Sequence, residues 1–411
     1  MTLNIIWASF FIIAFLVALI KLIFFQDVAV FPNMLKSTFD MAKTGFEISL
    51  YLTGVMSLWL GLMKIGEKGG IVPILSKVIG PFFQRLFPEV PKDHPANGSI
   101  IMNFSANMLG LDNAATPLGL KAMKELQELN PDKEVASNAQ IMFMVLNASG
   151  LTIIPLTIIA DRAVLGSVNP TSIFIPTLIA TFCSTMVGLL YISIKQKIRW
   201  DFVMIGYMAS LTGLIALTVV YFTSLTPQEL QQQSSLVSSV VIITIIVSFL
   251  VLGLRRKLPL FETFVEGAKE GFETSIKIIP FLVAMLVGIG LFRESGTLDF
   301  LIQGIAWSFT QINVNTDFVE ALPVAFLKPL SGSAARSMMI SISEATPGGP
   351  DSFVANLAAI FRGCAETTFY VLAVYFGSVN IRKTRYALTG GLIADLAGMI
   401  AAILVAYLFF H

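Results

Sequence analysis

The chain of 411 residues is 55% hydrophobic before any of its 30 glycines is counted and only 13% charged, whereas soluble domains run near 45–50% apolar with glycine included and about 25% charged. With mean hydropathy at +0.79, so few charges cannot cover a water-exposed surface, and the composition is that of a polytopic membrane protein. A net charge of +1 gives no field to attract nucleic acid, and two cysteines (Cys183, Cys364) with two histidines (His94, His411) supply neither a disulfide framework nor a metal site.

Apolar runs of about 20 residues cross the hydrocarbon core as helices, so the fold class is all-α. In chain order, 3–25 reads as a retained span, since it lacks a basic start and is too long for a signal h-region. A span at 47–66 and an interfacial amphipathic helix at 71–88 follow. Next comes an interrupted apolar region, 97–126, holding Asn103, Asn107, Asp112, Asn113 and Pro117. Spans are then expected at 138–160, 171–194, 202–222, 236–254 and 273–292, and a second interfacial helix at 297–313. The second interrupted region, 319–346, carries Lys328, Pro329, Ser331, Gly332, Ser333, Arg336 and Glu344, and spans at 352–378 and 387–410 complete the chain. Polar, Gly- and Pro-broken backbone at membrane depth must be buried in protein or line a wet cavity. Both interrupted regions are therefore expected to be re-entrant or broken hairpins beside nine full spans.

The chain also repeats itself. Ala42-Lys43-Thr44-Gly45-Phe46-Glu47-Ile48-Ser49 matches Ala268-Lys269-Glu270-Gly271-Phe272-Glu273-Thr274-Ser275 at six of eight positions, and Gly166-Ser167-Val168-Asn169 recurs as Gly377-Ser378-Val379-Asn380. The expected organisation is a first repeat at 1–200, a linking span within 201–234 and a second repeat at 235–411. Basic residues mark cytoplasmic loops. Lys195, Lys197 and Arg199 place the end of the first repeat inside, the loop 223–235 has no basic residue, and Arg382, Lys383 and Arg385 follow the second GSVN string. The first GSVN string has only Arg162, beside Asp161. Equivalent loops thus face opposite sides, which predicts inverted-topology repeats with a cytoplasmic N-terminus; Lys36 and Lys43 in a loop predicted outside are the weak point.

Inverted repeats with broken helices are a transporter architecture, with solute held near the midplane by freed backbone groups and half-helix ends. Channels and non-transporting scaffolds share such symmetry. In Lys328-Pro329-Leu330-Ser331-Gly332-Ser333-Ala334-Ala335-Arg336, a helix restarting near Ser333 would offer N–H groups to an anionic or strongly polar partner, with Lys328 and Arg336 adding positive charge. Alternatively, Lys328 and Arg336 snorkel or pair with Glu344. Arg362 and Glu366, four apart, are expected on one helical face as an ion pair, serving either structure or substrate, with Thr367 and Thr368 beside them. In the first repeat Asn103, Asn107, Asn113, Asn147 and Ser149 suit a hydrogen-bonded neutral or zwitterionic solute, with helix–helix glue the alternative for Asn147 and Ser149. Asp112 is a candidate cation or proton carrier, or a half-helix cap. No HExxH, GxSxG or Walker string occurs, so neither an enzyme nor a cofactor is expected.

These residues carry a family resemblance. Asn107-Met108-Leu109-Gly110-Leu111-Asp112-Asn113-Ala114-Ala115-Thr116-Pro117 with Gly119-Leu120-Lys121-Ala122-Met123 resembles spore maturation protein A. Pro329-Leu330-Ser331-Gly332-Ser333-Ala334, Gly349-Pro350-Asp351-Ser352-Phe353 and the run from Thr367 to Gly377 resemble spore maturation protein B, so the chain reads as a fusion of the two. The resemblance implies the nucleoside-recognition or gate domain, shared with concentrative nucleoside transporters and the pore part of ferrous iron transporters. It implies a multi-pass protein of the bacterial inner membrane whose partners are the lipid bilayer and a small polar solute, with a coupling cation or proton and a homo-oligomer left open. The alternative is a non-transporting scaffold or regulator of envelope or spore maturation.

Overall fold

A computed structural model of the chain describes residues 2–108, 112–153, 155–311 and 315–411. The described residues are about 81% helical with no strand, which makes the protein an all-α polytopic membrane protein. In chain order the helices are α1 (Thr2–Phe25), α2 (Val30–Gly69), α3 (Ile71–Leu86), α4 (Pro95–Met108), α5 (Asp112–Leu129), α6 (Asn138–Ser149), α7 (Leu156–Val164), α8 (Phe174–Gln196) and α9 (Phe202–Thr223). Then follow α10 (Pro227–Arg255), α11 (Leu260–Glu294), α12 (Thr297–Thr310), α13 (Leu322–Leu327), α14 (Gly332–Ala345), α15 (Phe353–Gly363), α16 (Thr368–Ser378) and α17 (Ala387–Phe410). Local chemistry starts several of them. Ser137 with Gln140 forms a capping box on α6, Thr226 with Glu229 forms another on α10 ahead of Pro227, and the Asp201 side chain caps α9 on Met204 N–H.

Among the described residues six stretches are long and apolar enough to cross a membrane: Trp7–Phe25, Val30–Gly69, Pro170–Gln196, Phe202–Phe222, Phe353–Ser378 and Ala387–Phe410. Six of the nine expected spans fall on these stretches. The span expected at 138–160 is two helices, α6 and α7, with non-helical residues 150–153 and 155 between them, and the one at 352–378 is broken at 364–367 between α15 and α16. The expected span at 236–254 appears as a shorter apolar stretch, Ser239–Arg255. The one at 273–292 lies inside the continuous 35-residue α11, several of whose side chains fall outside the description.

The chain forms two compact units, each drawing on both halves of the sequence. The first comprises Met1–Leu60, Ala160–Pro170 and Ala268–Arg362; the second comprises Gly61–Ile159, Thr171–Gly267 and Gly363–His411. In the first unit α2 and α11 approach closely at two glycines. A Cβ on Gly45 would lie 3.1 Å from Val283 Cα, and a Cβ on Gly271 would lie 2.6 Å from the Met56 carbonyl oxygen and 2.7 Å from Ser57 Cα. Small residues let backbones meet this way, which replaces the hydrophobic drive that lipid removes.

The second unit holds a large apolar core from α3, α4, α6 and α16. A chain of rings crosses it: Phe83 stacks on Phe104 at 4.6 Å, Phe104 meets Phe143 edge-on at 5.7 Å, and Phe143 meets Tyr375 at 5.2 Å. Each such pair adds about 0.5–1.5 kcal/mol beyond area burial, so the Tyr375 hydroxyl is held in a fixed place.

Candidate functional site

Two polar clusters lie inside the otherwise apolar units. In the second unit, amides from α4 and α6 converge on that hydroxyl. Asn107 Nδ2 donates to Asn147 Oδ1 at 2.8 Å, and the Tyr375 hydroxyl donates to the same oxygen at 3.3 Å. Asn147 Nδ2 donates to the Phe143 carbonyl at 2.8 Å, an α6 bond that fixes the amide's orientation. Asn103 Nδ2 donates to the Ala115 carbonyl at 2.8 Å and to the Tyr375 hydroxyl at 3.5 Å. Its Oδ1 is buried and accepts no hydrogen bond from the described residues. A buried amide oxygen left so costs about 1–3 kcal/mol, which makes it a natural acceptor for a solute or water donor. Gly119 on α5 leaves room for the Tyr375 ring beside it.

Next to this cluster the interruptions of the two broken spans meet. Glu366 N–H donates to the Ala148 carbonyl at 2.8 Å, joining the break at 364–367 to the last turn of α6. Gly150 ends α6 in the left-handed region at φ +55°, and a Cβ there would lie 3.1 Å from Glu366 N. Glycine therefore serves both the helix stop and the close approach.

In the first unit a buried charge cluster centres on Asp161. Arg336 Nε donates to Asp161 Oδ1 at 3.1 Å, and its Nη2 reaches the same oxygen. Arg362 Nε stands 4.0 Å from Asp161 Oδ2. Arg162, on the next residue, pairs with Asp351 at 3.0 Å and donates to the Pro350 carbonyl at 2.8 Å. Asp351 also accepts from Ser167 Oγ and, at 2.8 Å, from Val168 N–H, so it holds the GSVN loop of residues 166–169. Charges so deep persist only when paired and hydrogen-bonded.

The structure thus brings Asn103, Asn107 and Asn147 together, and places Arg336 and Arg362 on one carboxylate. Ser149 is buried but spends its hydroxyl on the Leu146 carbonyl at 3.0 Å. Ser331 caps α14 by accepting from Ala334 N–H at 3.2 Å, with Ser333 Oγ 3.1 Å away, and Gly332 opens the helix. Lys328 is buried in the turn between α13 and α14. Thr367 and Thr368 are buried at the start of α16. Asp112 and Asn113 open α5, and their side chains lie outside the described part. The expected common helical face of Arg362 and Glu366 is corrected: the helix stops at Gly363, so i,i+4 spacing no longer sets their faces. The alternative pairing of Arg336 with Glu344 is likewise replaced by Asp161. Asp161, Arg162, Asp351 and Tyr375 belong to these polar clusters and are not among the candidate residues of the sequence reading.

Polar clusters at broken helices within an all-α, multi-pass chain fit a membrane protein of a transporter-like family, the class that the relatives suggest. A family model described as "Gate: Nucleoside recognition" matches residues 49–162, a stretch containing Asn103, Asn107, Asn147 and Asp161. Spore maturation protein A of Bacillus subtilis (strain 168) is 42% identical over 181 residues, 44% of this chain and 89% of that protein. Spore maturation protein B of the same organism is 45% identical over 166 residues, 40% of this chain and 90% of that protein. The two cover different parts of the sequence, and the chain belongs to the spore maturation protein A and B family, with both members joined in one polypeptide.

Proposed function

We propose that the chain is a secondary transporter of a small polar or charged solute in the bacterial inner membrane, with its site where the broken spans meet. The observation that carries this reading is the 2.8 Å hydrogen bond from Glu366 N–H to the Ala148 carbonyl. Two spans give up helical bonding at one place, beside an amide cluster with an unsatisfied Asn103 Oδ1. Unwound backbone inside a membrane bundle is tolerated where it serves a cavity or a bound solute. Asn103, Asn107 and Asn147 would grip the solute through hydrogen bonds, and Asp112 would carry the coupling cation or proton.

The glycine contacts of the first unit support the inverted repeat. Val283 and Ser57 each stand twelve residues after the matched glycines Gly271 and Gly45. Gly45 meets Val283 while Gly271 meets Ser57, a reciprocal pattern that an antiparallel two-fold relation produces. The boundaries 1–200, 201–234 and 235–411 follow from that reading, as does a re-entrant character for α4–α5 and α13–α14.

The description of the matched family makes nucleosides the first solutes to test. Purified protein in proteoliposomes should take up a labelled nucleoside or another small polar solute, and Asn147→Ala should abolish uptake while inserting normally. No flux and no solute-induced stabilisation across nucleosides, amino acids and organic anions would instead favour a non-transporting scaffold or regulator of envelope or spore maturation. The names of the two relatives point to that second reading.

A further inference from the structure

Away from both clusters, the first unit contains two cavities that share a wall. One, of about 290 Å³, is lined by Arg293, Asp299, Gln303, Glu320, Ser341 and Thr346 among apolar neighbours. The other, of about 330 Å³, is lined by apolar residues alone, among them Phe10 of α1, Leu301 and Ile305 of α12 and Phe326 of α13. Leu298, Ile302 and Met338 line both. A mixed-charge chamber therefore adjoins a wholly apolar one, and only an amphiphile satisfies the two together.

The charges indicate which amphiphile. Arg293 Nη1 donates to Ser341 Oγ at 3.1 Å and to its carbonyl at 3.3 Å, which fixes the guanidinium in the chamber wall. A guanidinium so held recognises phosphate oxygens. Asp299 and Glu320 in the same wall call for a cation. We propose that this chamber and groove bind a phospholipid with a phosphate-and-amine headgroup, a phosphatidylethanolamine, its phosphate on Arg293, its ammonium on Asp299 or Glu320 and one acyl chain in the apolar groove. An anionic lipid of equal chain length would satisfy Arg293 but meet two carboxylates. This site does not depend on the transport reading.

The test uses the full chain, purified in detergent and stripped of lipid, with thermal melting as the readout. Phosphatidylethanolamine should raise Tm by several degrees, phosphatidylglycerol of the same chains by less than half as much, and phosphorylethanolamine without chains not at all. Arg293→Gln should weaken stabilisation by both lipids, and the double variant Asp299→Asn with Glu320→Gln should erase the preference for the amine headgroup. Leu301→Trp, at a half-exposed groove position, should reduce stabilisation by every lipid while leaving the lipid-free Tm unchanged. Should Arg293→Gln lower the lipid-free Tm, the Asp299→Asn, Glu320→Gln double variant alone decides the headgroup claim. Equal shifts from both lipids in the wild type, or a full preference retained in the Asp299→Asn, Glu320→Gln double variant, would overturn the proposal. So would stabilisation by the headgroup alone.

Discussion

Removing the Asp161 carboxylate takes from Arg336 and Arg362 the counter-charge they share. Breaking a buried pair by deleting one partner costs about 3–5 kcal/mol, whereas replacing both by apolar groups of similar shape is often neutral. Asp161→Ala is therefore expected to lose most folded yield, Arg336→Ala to lose nearly as much, and Arg362→Ala less, because Arg362 is 4.0 Å from the carboxylate and more exposed than Arg336. The double variant Asp161→Asn with Arg336→Met should recover yield, as measured by fluorescence size-exclusion of detergent extracts. Recovery without transport would give the triad a role in the site as well as in folding. Asp201 offers a test by pH. Its carboxyl is held below its ordinary value of 3.8, first by the Met204 N–H and then by Arg85. A depressed folded pKa contributes stability that is present above the ordinary value and is lost as pH falls through the folded one. The Tm gap between wild type and Asp201→Ala should be constant near neutrality and close below about pH 4. A gap that widens with acid would contradict the cap and ion pair at the start of α9.

Among the elements, the α2–α11 contact makes graded predictions. A Cβ at Gly271 meets backbone at 2.6 Å, whereas one at Gly45 meets Val283 at 3.1 Å and one at Gly54 meets nothing within 4 Å. Gly271→Ala should destabilise by about 1–3 kcal/mol through overpacking, Gly45→Ala by less, and Gly54→Ala should be neutral or stabilising by up to about 1 kcal/mol from helix propensity; thermal melting orders the three. The same elements show what sequence can and cannot reveal. Helix type, the 268–275 echo of 42–49 and the polar, Gly- and Pro-broken character of 97–126 and 319–346 all read directly from residue pattern. The end of α6 had a local signal in Gly150 and Pro155, but the surrounding apolar residues made the stretch read as continuous. The break at 364–367 has no proline, and it is held by a hydrogen bond from Glu366 to Ala148, more than two hundred residues away. Likewise Asp161 and Arg336 are 175 residues apart, so each reads as a lone charge until the fold joins them.

At the scale of the whole molecule, the inverted arrangement makes demands on which loops share a side of the membrane. The distribution of basic residues predicts 67–137, 195–199 and the loop after the second GSVN string inside, and the first GSVN loop with 293–351 outside. Contacts within the units fit each grouping. Arg382 N–H and Lys383 N–H both donate to the Glu134 carbonyl, at 2.9 and 3.0 Å, and Arg385 Nη1 donates to the Ala136 carbonyl at 2.9 Å, so the loop before α6 and the loop before α17 lie together. Arg85 pairs with Asp201 at the other edge of the same expected face. Asp351 holds Ser167 and Val168, both expected outside. Single cysteines at Gln228 and Thr384, introduced after replacing Cys183 and Cys364, should therefore react with membrane-impermeant maleimide from opposite sides. Gln228 should label in intact cells, and Thr384 only after the membrane is opened. Labelling of both from the same side would break the alternation on which the inverted repeat rests. Reversed labelling, with Thr384 outside and Gln228 inside, would keep the repeat but place the N-terminus outside, making Lys36 and Lys43 the basic residues that set orientation.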